Sequence, residues 1–151
     1  MATTIDVGIE FDVIGKETDL LKVRISAWNG AFGGAADVYT GIGGLEEAAK
    51  RLKGFPQHPA DTREVTLGAF GPEWAGGGVR MRFYCLDASG HAHLELDIES
   101  EGLQGRPSQS VHMSLAIEAA SVDSFIEELR STGARTRGSA RLEGMPAETP
   151  L

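Results

Sequence analysis

Apolar and polar residues alternate along several stretches of the chain, the period-two signature of strands with one buried face. Ile5, Val7, Ile9, Phe11 and Val13 alternate with Asp6, Gly8, Glu10 and Asp12, and Gly15 to Asp19 then turns the chain. Leu21, Val23, Ile25 and Ala27 continue the pattern up to Asn29-Gly30, a dipeptide that tolerates positive φ and marks tight hairpins. With Asn29 and Gly30 as the two loop residues, Leu21 is predicted opposite Val38, Val23 opposite Ala36, Ala27 opposite Phe32 and Lys22 opposite Asp37.

Residues 79 to 98 read as a second hairpin, turning at Asp87-Ala88-Ser89-Gly90. A turn centred between Ala88 and Ser89 sets Phe83 opposite Leu94, Met81 opposite Leu96 and Val79 opposite Ile98 on one face. Arg82 then meets Glu95 and Arg80 meets Asp97 on the other. A slip of one residue would set arginine against leucine, so both faces specify the register together.

The period changes to helical at Leu45, Ala48, Ala49 and Leu52, with Glu46 and Glu47 in the first turn, Lys50 and Arg51 in the last, and Gly54 as the stop. Val65, Leu67 and Ala69 start a further strand region, and Gly71 to Gly78 is a flexible connection. After a loop from Glu101 to Pro107, Val111, Met113, Leu115 and Ile117 form the next alternating strand. Ser121 is the predicted N-cap of a helix that buries Val122, Phe125, Ile126 and Leu129 and ends at Gly133. Asp37 to Leu52 and Ser114 to Leu129 read as two copies of one strand-to-helix unit.

The expected fold is therefore α+β: one mainly antiparallel sheet of six or seven strands, two amphipathic helices on its apolar face, and the order strands, helix, strands, helix. Residues 1 to 133 are expected as a single domain. Residues 134 to 151 lack periodicity and carry Arg135, Arg137 and Arg141, so they are expected as an irregular tail docking on the acidic body or a neighbouring subunit.

Charge narrows the function classes. A net charge of -8 and a pI near 4.9 oppose binding to phosphate backbones or anionic membranes. The sequence has no membrane-length apolar run, and a lone cysteine, Cys85, cannot form an internal disulfide. A soluble cytoplasmic protein is expected, with a protein partner, no nucleic acid and no membrane.

His91 and His93 lie two apart on one predicted strand, about 6.6 Å along the chain, and Glu95 or His112 would complete a zinc-like set. Against this, Glu95 is committed to Arg82, and guanidinium groups beside a dication are adverse. Gly41-Ile42-Gly43-Gly44 lacks the further glycine or the Lys-Ser/Thr pair of a phosphate-binding loop, and Glu46 and Glu47 would repel phosphate. Cys85 points toward Phe83 and Met81, an apolar setting that does not activate a thiol. No catalytic residue, metal or cofactor is assigned.

Trp28 shares the polar parity of Lys22 and Arg24, and Trp74 lies in the Gly-rich connection. Together with Arg82, Tyr84 and His93 they form the candidate binding set, because aromatic residues and arginine are enriched where proteins meet. The alternative is that Trp28 caps the sheet edge and Trp74 folds back onto it.

The segments Trp28-Asn29-Gly30-x-Phe32 and Leu52-x-x-Phe55-Pro56, and the second hairpin followed by Phe125-x-x-x-Leu129, together resemble a family of small uncharacterised bacterial proteins over most of residues 20 to 130. That resemblance implies a bacterial cytoplasmic origin and supplies no activity or site. The sequence thus favours a non-enzymatic binding module, expected as a homo-oligomer formed through a sheet face bearing Trp28, Arg82, Tyr84 and His93. The alternative is a small-molecule or metal-dependent enzyme using His91, His93 and Glu95.

Overall fold

The computed structural model describes residues 6–103 and 105–145. Eight strands and two helices follow in the order β1 (Gly8–Lys16), β2 (Leu20–Trp28), β3 (Gly33–Gly41), α1 (Gly44–Leu52), β4 (Arg63–Gly68), β5 (Gly78–Cys85), β6 (Ala92–Glu99), β7 (Ser110–Ala116), α2 (Ala119–Arg135) and β8 (Ser139–Glu143). The strands form two antiparallel four-stranded sheets, ordered β3-β2-β1-β8 and β4-β5-β6-β7, in place of the one sheet expected. Alternation tells which side of a strand is buried but not which sheet it joins, and the strands before and after α1 join different sheets.

The second half of the chain repeats the first. β1, β2, β3, α1 and β4 correspond in order to β5, β6, β7, α2 and β8, and each half gives its last strand to the other half's sheet. The cross-strand row Ala140, Phe11, Ile25, Ala36 in the first sheet matches Val65, Met81, Leu96, Met113 in the second, and all eight are buried. The buried helix positions Leu45, Ala48, Ala49 and Leu52 correspond in spacing to Val122, Phe125, Ile126 and Leu129. Both sheets and both helices contribute to one apolar cluster. Phe125 of α2 meets Phe11 edge-on at 5.4 Å, while Phe55, just past α1, meets Phe83 of β5 at 5.8 Å.

The second hairpin pairs as its sequence dictates: Phe83 with Leu94, Met81 with Leu96, Val79 with Ile98, Arg82 with Glu95 and Arg80 with Asp97. Its turn is closed by bonds from the Leu86 amide to the His91 carbonyl and from the Gly90 amide to the Asp87 carbonyl, with Gly90 at φ 81°. The first hairpin differs by two residues. Val23 pairs with Val38, Ala27 with Gly34, and Arg24 rather than Lys22 meets Asp37. Asn29 causes the shift, because its side-chain oxygen accepts the amides of Ala31 and Phe32 at 2.9 and 2.7 Å while its own amide donates to the Phe32 carbonyl. This makes a four-residue loop, Asn29 to Phe32, that ends in the pair Trp28 and Gly33.

Three further boundaries move. β1 runs to Lys16, past the predicted turn at Gly15, by absorbing an irregularity between Val13 and Gly15. α2 starts at Ala119, because the amides of Ser121 and Val122 already bond the Glu118 carbonyl, and it passes through Gly133 to Thr136 in the left-handed conformation. Gly133 is a packing glycine: a Cβ there would stand 2.8 Å from Glu46 Cγ. Within the segment expected to be irregular, Ser139–Glu143 form β8 against β1, burying Ala140 and Leu142. The rest of that segment from 146 onward, like Met1 to Ile5, lies outside the described residues.

Among the described residues no helix is long and apolar enough to cross a membrane.

Candidate functional site

The parity that buries Val79, Met81 and Phe83 turns Arg80, Arg82 and Tyr84 of β5 outward, and β6 does the same with His93, Glu95 and Asp97. Cross-strand pairing places Glu64 and Thr66 of β4 on one flank and His112 and Ser114 of β7 on the other. A cationic row therefore runs beside an acidic one.

The contacts are graded. Arg82 donates to Glu95 at 3.3 Å. Arg80 stands 3.7 Å from Glu64 and 3.8 Å from Asp97, close enough for attraction but too far for hydrogen bonds. Half-exposed pairs of this kind are each worth about 0–1 kcal/mol. Arg82 lies 4.9 Å over the Tyr84 ring, and Tyr84 meets His93 edge-on at 5.5 Å. Arg80 likewise covers Phe70 at 4.9 Å. These contacts seat each guanidinium group over an aromatic ring.

The histidines divide by environment. His112 bridges the acidic row, with Nδ1 2.7 Å from Asp97 and Nε2 3.2 Å from Glu95. Its hydrogen bond to Asp97 raises its pKa above the ordinary value near 6.5, which favours the imidazolium. His93 shifts the other way, because burial disfavours its charge, and its Nδ1 is buried without a hydrogen-bond partner. His91 has turned into the hairpin loop, where its Nδ1 sits 2.6 Å from Asp87.

This geometry bears on the histidine-rich strand. His91 is engaged by Asp87 and Glu95 is shared between Arg82 and His112, while His93 packs its ring against Tyr84 with Nδ1 buried and unpartnered. A metal ligand needs a free imidazole lone pair, whereas both ring nitrogens of His112 face carboxylates. Among the described residues no group of three or more His, Cys, Asp or Glu side chains is arranged to hold a metal. Cys85 is half-buried against the core, and burial raises its thiol pKa, which disfavours the thiolate.

The five candidate binding residues do not share one surface. Arg82, Tyr84 and His93 come together on the β4–β7 sheet, but Trp28 is on β2 of the other sheet, and exposed Trp74 is in the β4–β5 connection. Trp28 packs against the backbone at Gly33, where a Cβ would come within 2.7 Å of its ring. Its open depression of about 510 Å³ is lined by Asp6, Glu10, Ser26 and Arg141 among others. The sequence reading missed Phe70 and the link from Glu64 to Arg80, because both depend on how β4 pairs with β5.

No family model matches the chain, and neither a curated protein nor a solved structure does. The resemblance to small bacterial proteins thus rests on the turn and core residues alone.

Proposed function

We propose that the chain works as a non-enzymatic binding module whose protein-contacting surface is the outward face of the β4–β7 sheet. One observation carries this reading: the buried rows repeat between the two sheets, but the outward rows do not. Where the first sheet presents Ser139, Asp12, Arg24 and Asp37 across its strands, the second presents Glu64, Arg82, Glu95 and Ser114. Shared packing accounts for the first similarity and leaves the outer difference to function. Arginine and tyrosine held on rigid strands offer large contact area at low entropic cost.

The partner is a protein or a second copy, since the overall charge of -8 disfavours nucleic acid. A cytoplasmic setting suits the single unpaired cysteine. The resemblance of its turn and core residues to small bacterial proteins supports a bacterial origin.

Photo-cross-linking tests the surface directly. A photoreactive residue in place of Ser114, an exposed position on the same face that leaves Arg82 and Tyr84 intact, is expected to give adducts in an extract of the expressing cells, whereas one in place of Glu127, on the exposed side of α2, is not. The adducts should disappear when Tyr84→Ala is added. Equal labelling at both positions, or none at position 114, would refute the assignment.

A further inference from the structure

Resting on that reading of the β4–β7 face, we propose that its partner is a second copy of the chain, bound face to face about a two-fold axis that runs parallel to the strands between β5 and β6. Charge order selects this axis. Arg82 lies level with Glu95, and Arg80 with Asp97, on adjacent strands. An axis along the strands exchanges β5 with β6, so Arg82 faces the partner's Glu95 and Arg80 faces the partner's Asp97. Each level then holds four charges of alternating sign.

The flanks agree. The same rotation exchanges β4 with β7, setting Glu64 over the partner's Ser114 and Thr66 over the partner's His112, so no like charges meet directly. A two-fold axis across the strands would instead lay β5 over β5, arginine against arginine, which like-charge repulsion opposes. Self-complementarity of one patch is what a closed two-fold dimer requires. The first sheet has only one such level, Asp12 beside Arg24, because Glu10 lies level with Ser26, and its Arg24 is already held by Asp37 in a two-point pair at 2.8 and 3.1 Å.

Size sets the affinity. Four strands about 4.8 Å apart, of six, eight, eight and seven residues, present a plane of roughly 500 Å² per copy. That is below the roughly 800 Å² per partner of a standard interface, so the dimer is weak and salt-sensitive.

Charge reversal in the full-length chain provides the test, read by sedimentation velocity. The parent chain should sediment as a dimer at high concentration in 20 mM salt and as a monomer in 500 mM salt. Arg82→Glu alone and Glu95→Arg alone should each weaken association more than about tenfold, from like charges facing across the axis. Mixing these two variants should restore a dimer, because the glutamates of one then face the arginines of the other, and the double reversal in one chain should self-associate again. A parent that is monomeric at both salts, or single reversals that dimerise like the parent, would overturn the proposal. Adducts at position 114 with other proteins, from a chain that never dimerises, would sink the dimer and leave the binding face standing.

Discussion

Replacing Phe125 with alanine is expected to destabilise the fold by about 3–5 kcal/mol, the range for removing a fully buried aromatic ring. Phe125 is 0% exposed and meets Phe11 edge-on, so it joins α2 to the middle of the first sheet. The loss combines transfer free energy, the cavity left behind and the aromatic contact. In a domain of this size it should lower the melting temperature by roughly 10 °C or more. Urea titration checks the cause, because the midpoint should fall while the slope stays unchanged. A loss under about 1 kcal/mol would mean that α2 does not seat on this sheet as described.

Arg63→Ala should have the second largest effect, about 2–4 kcal/mol. Arg63 makes two parallel bonds to Asp61, both 2.9 Å, and its third nitrogen donates to the carbonyls of Arg51 and Lys53 at the end of α1. Side-chain exposures of 21% for Arg63 and 11% for Asp61 separate this pair from the solvated ones. Alanine would strip two helix-terminal carbonyls of a donor and leave a mostly buried carboxylate without its cation. Arg63 also holds the Asp61 pKa below the usual carboxylate range, chiefly through the side-chain hydrogen bond. Lysine keeps the charge but not the fork, so thermal melting of Arg63→Lys should fall between parent and alanine variant. An alanine variant that melts with the parent would contradict this role.

The legible parts of the chain are those where two independent constraints coincide. In the second hairpin the apolar pairs and the charge pairs demand the same register, and the turn at Asp87 to Gly90 allows it. In the first hairpin Lys22 and Arg24 are both cationic and both point outward, so Asp37 suits either one. A shift of two residues keeps every side chain on its face, and only the bonding of Asn29 decides. β8 has just Ala140 and Leu142 to signal burial, too short a pattern to stand out from its surroundings. The duplication was visible in the strand-to-helix units, but the exchange of last strands was not, since pairing between distant segments leaves little local trace.

The same limits governed the candidate face. Arg82, Tyr84, His93 and Glu95 lie within one hairpin, and local alternation was enough to bring them together. Trp28 has the right parity and the wrong sheet. His112 suits a metal ligand by residue type alone, yet the acidic row holds both its ring nitrogens and favours its charged form.

Stability and the proposed recognition fall in different places: the duplicated core and the Arg63 clasp hold the fold, and the β4–β7 face is the surface proposed to bind. The most direct measurement is the melting temperature of Arg82→Ala/Glu95→Ala, taken dilute in 500 mM salt where copies are apart. Removing both members of a half-exposed pair should leave it within about 4 °C of the parent. A fall of roughly 10 °C or more, matching Phe125→Ala, would contradict the account, because the face would then be part of what holds the sheet together.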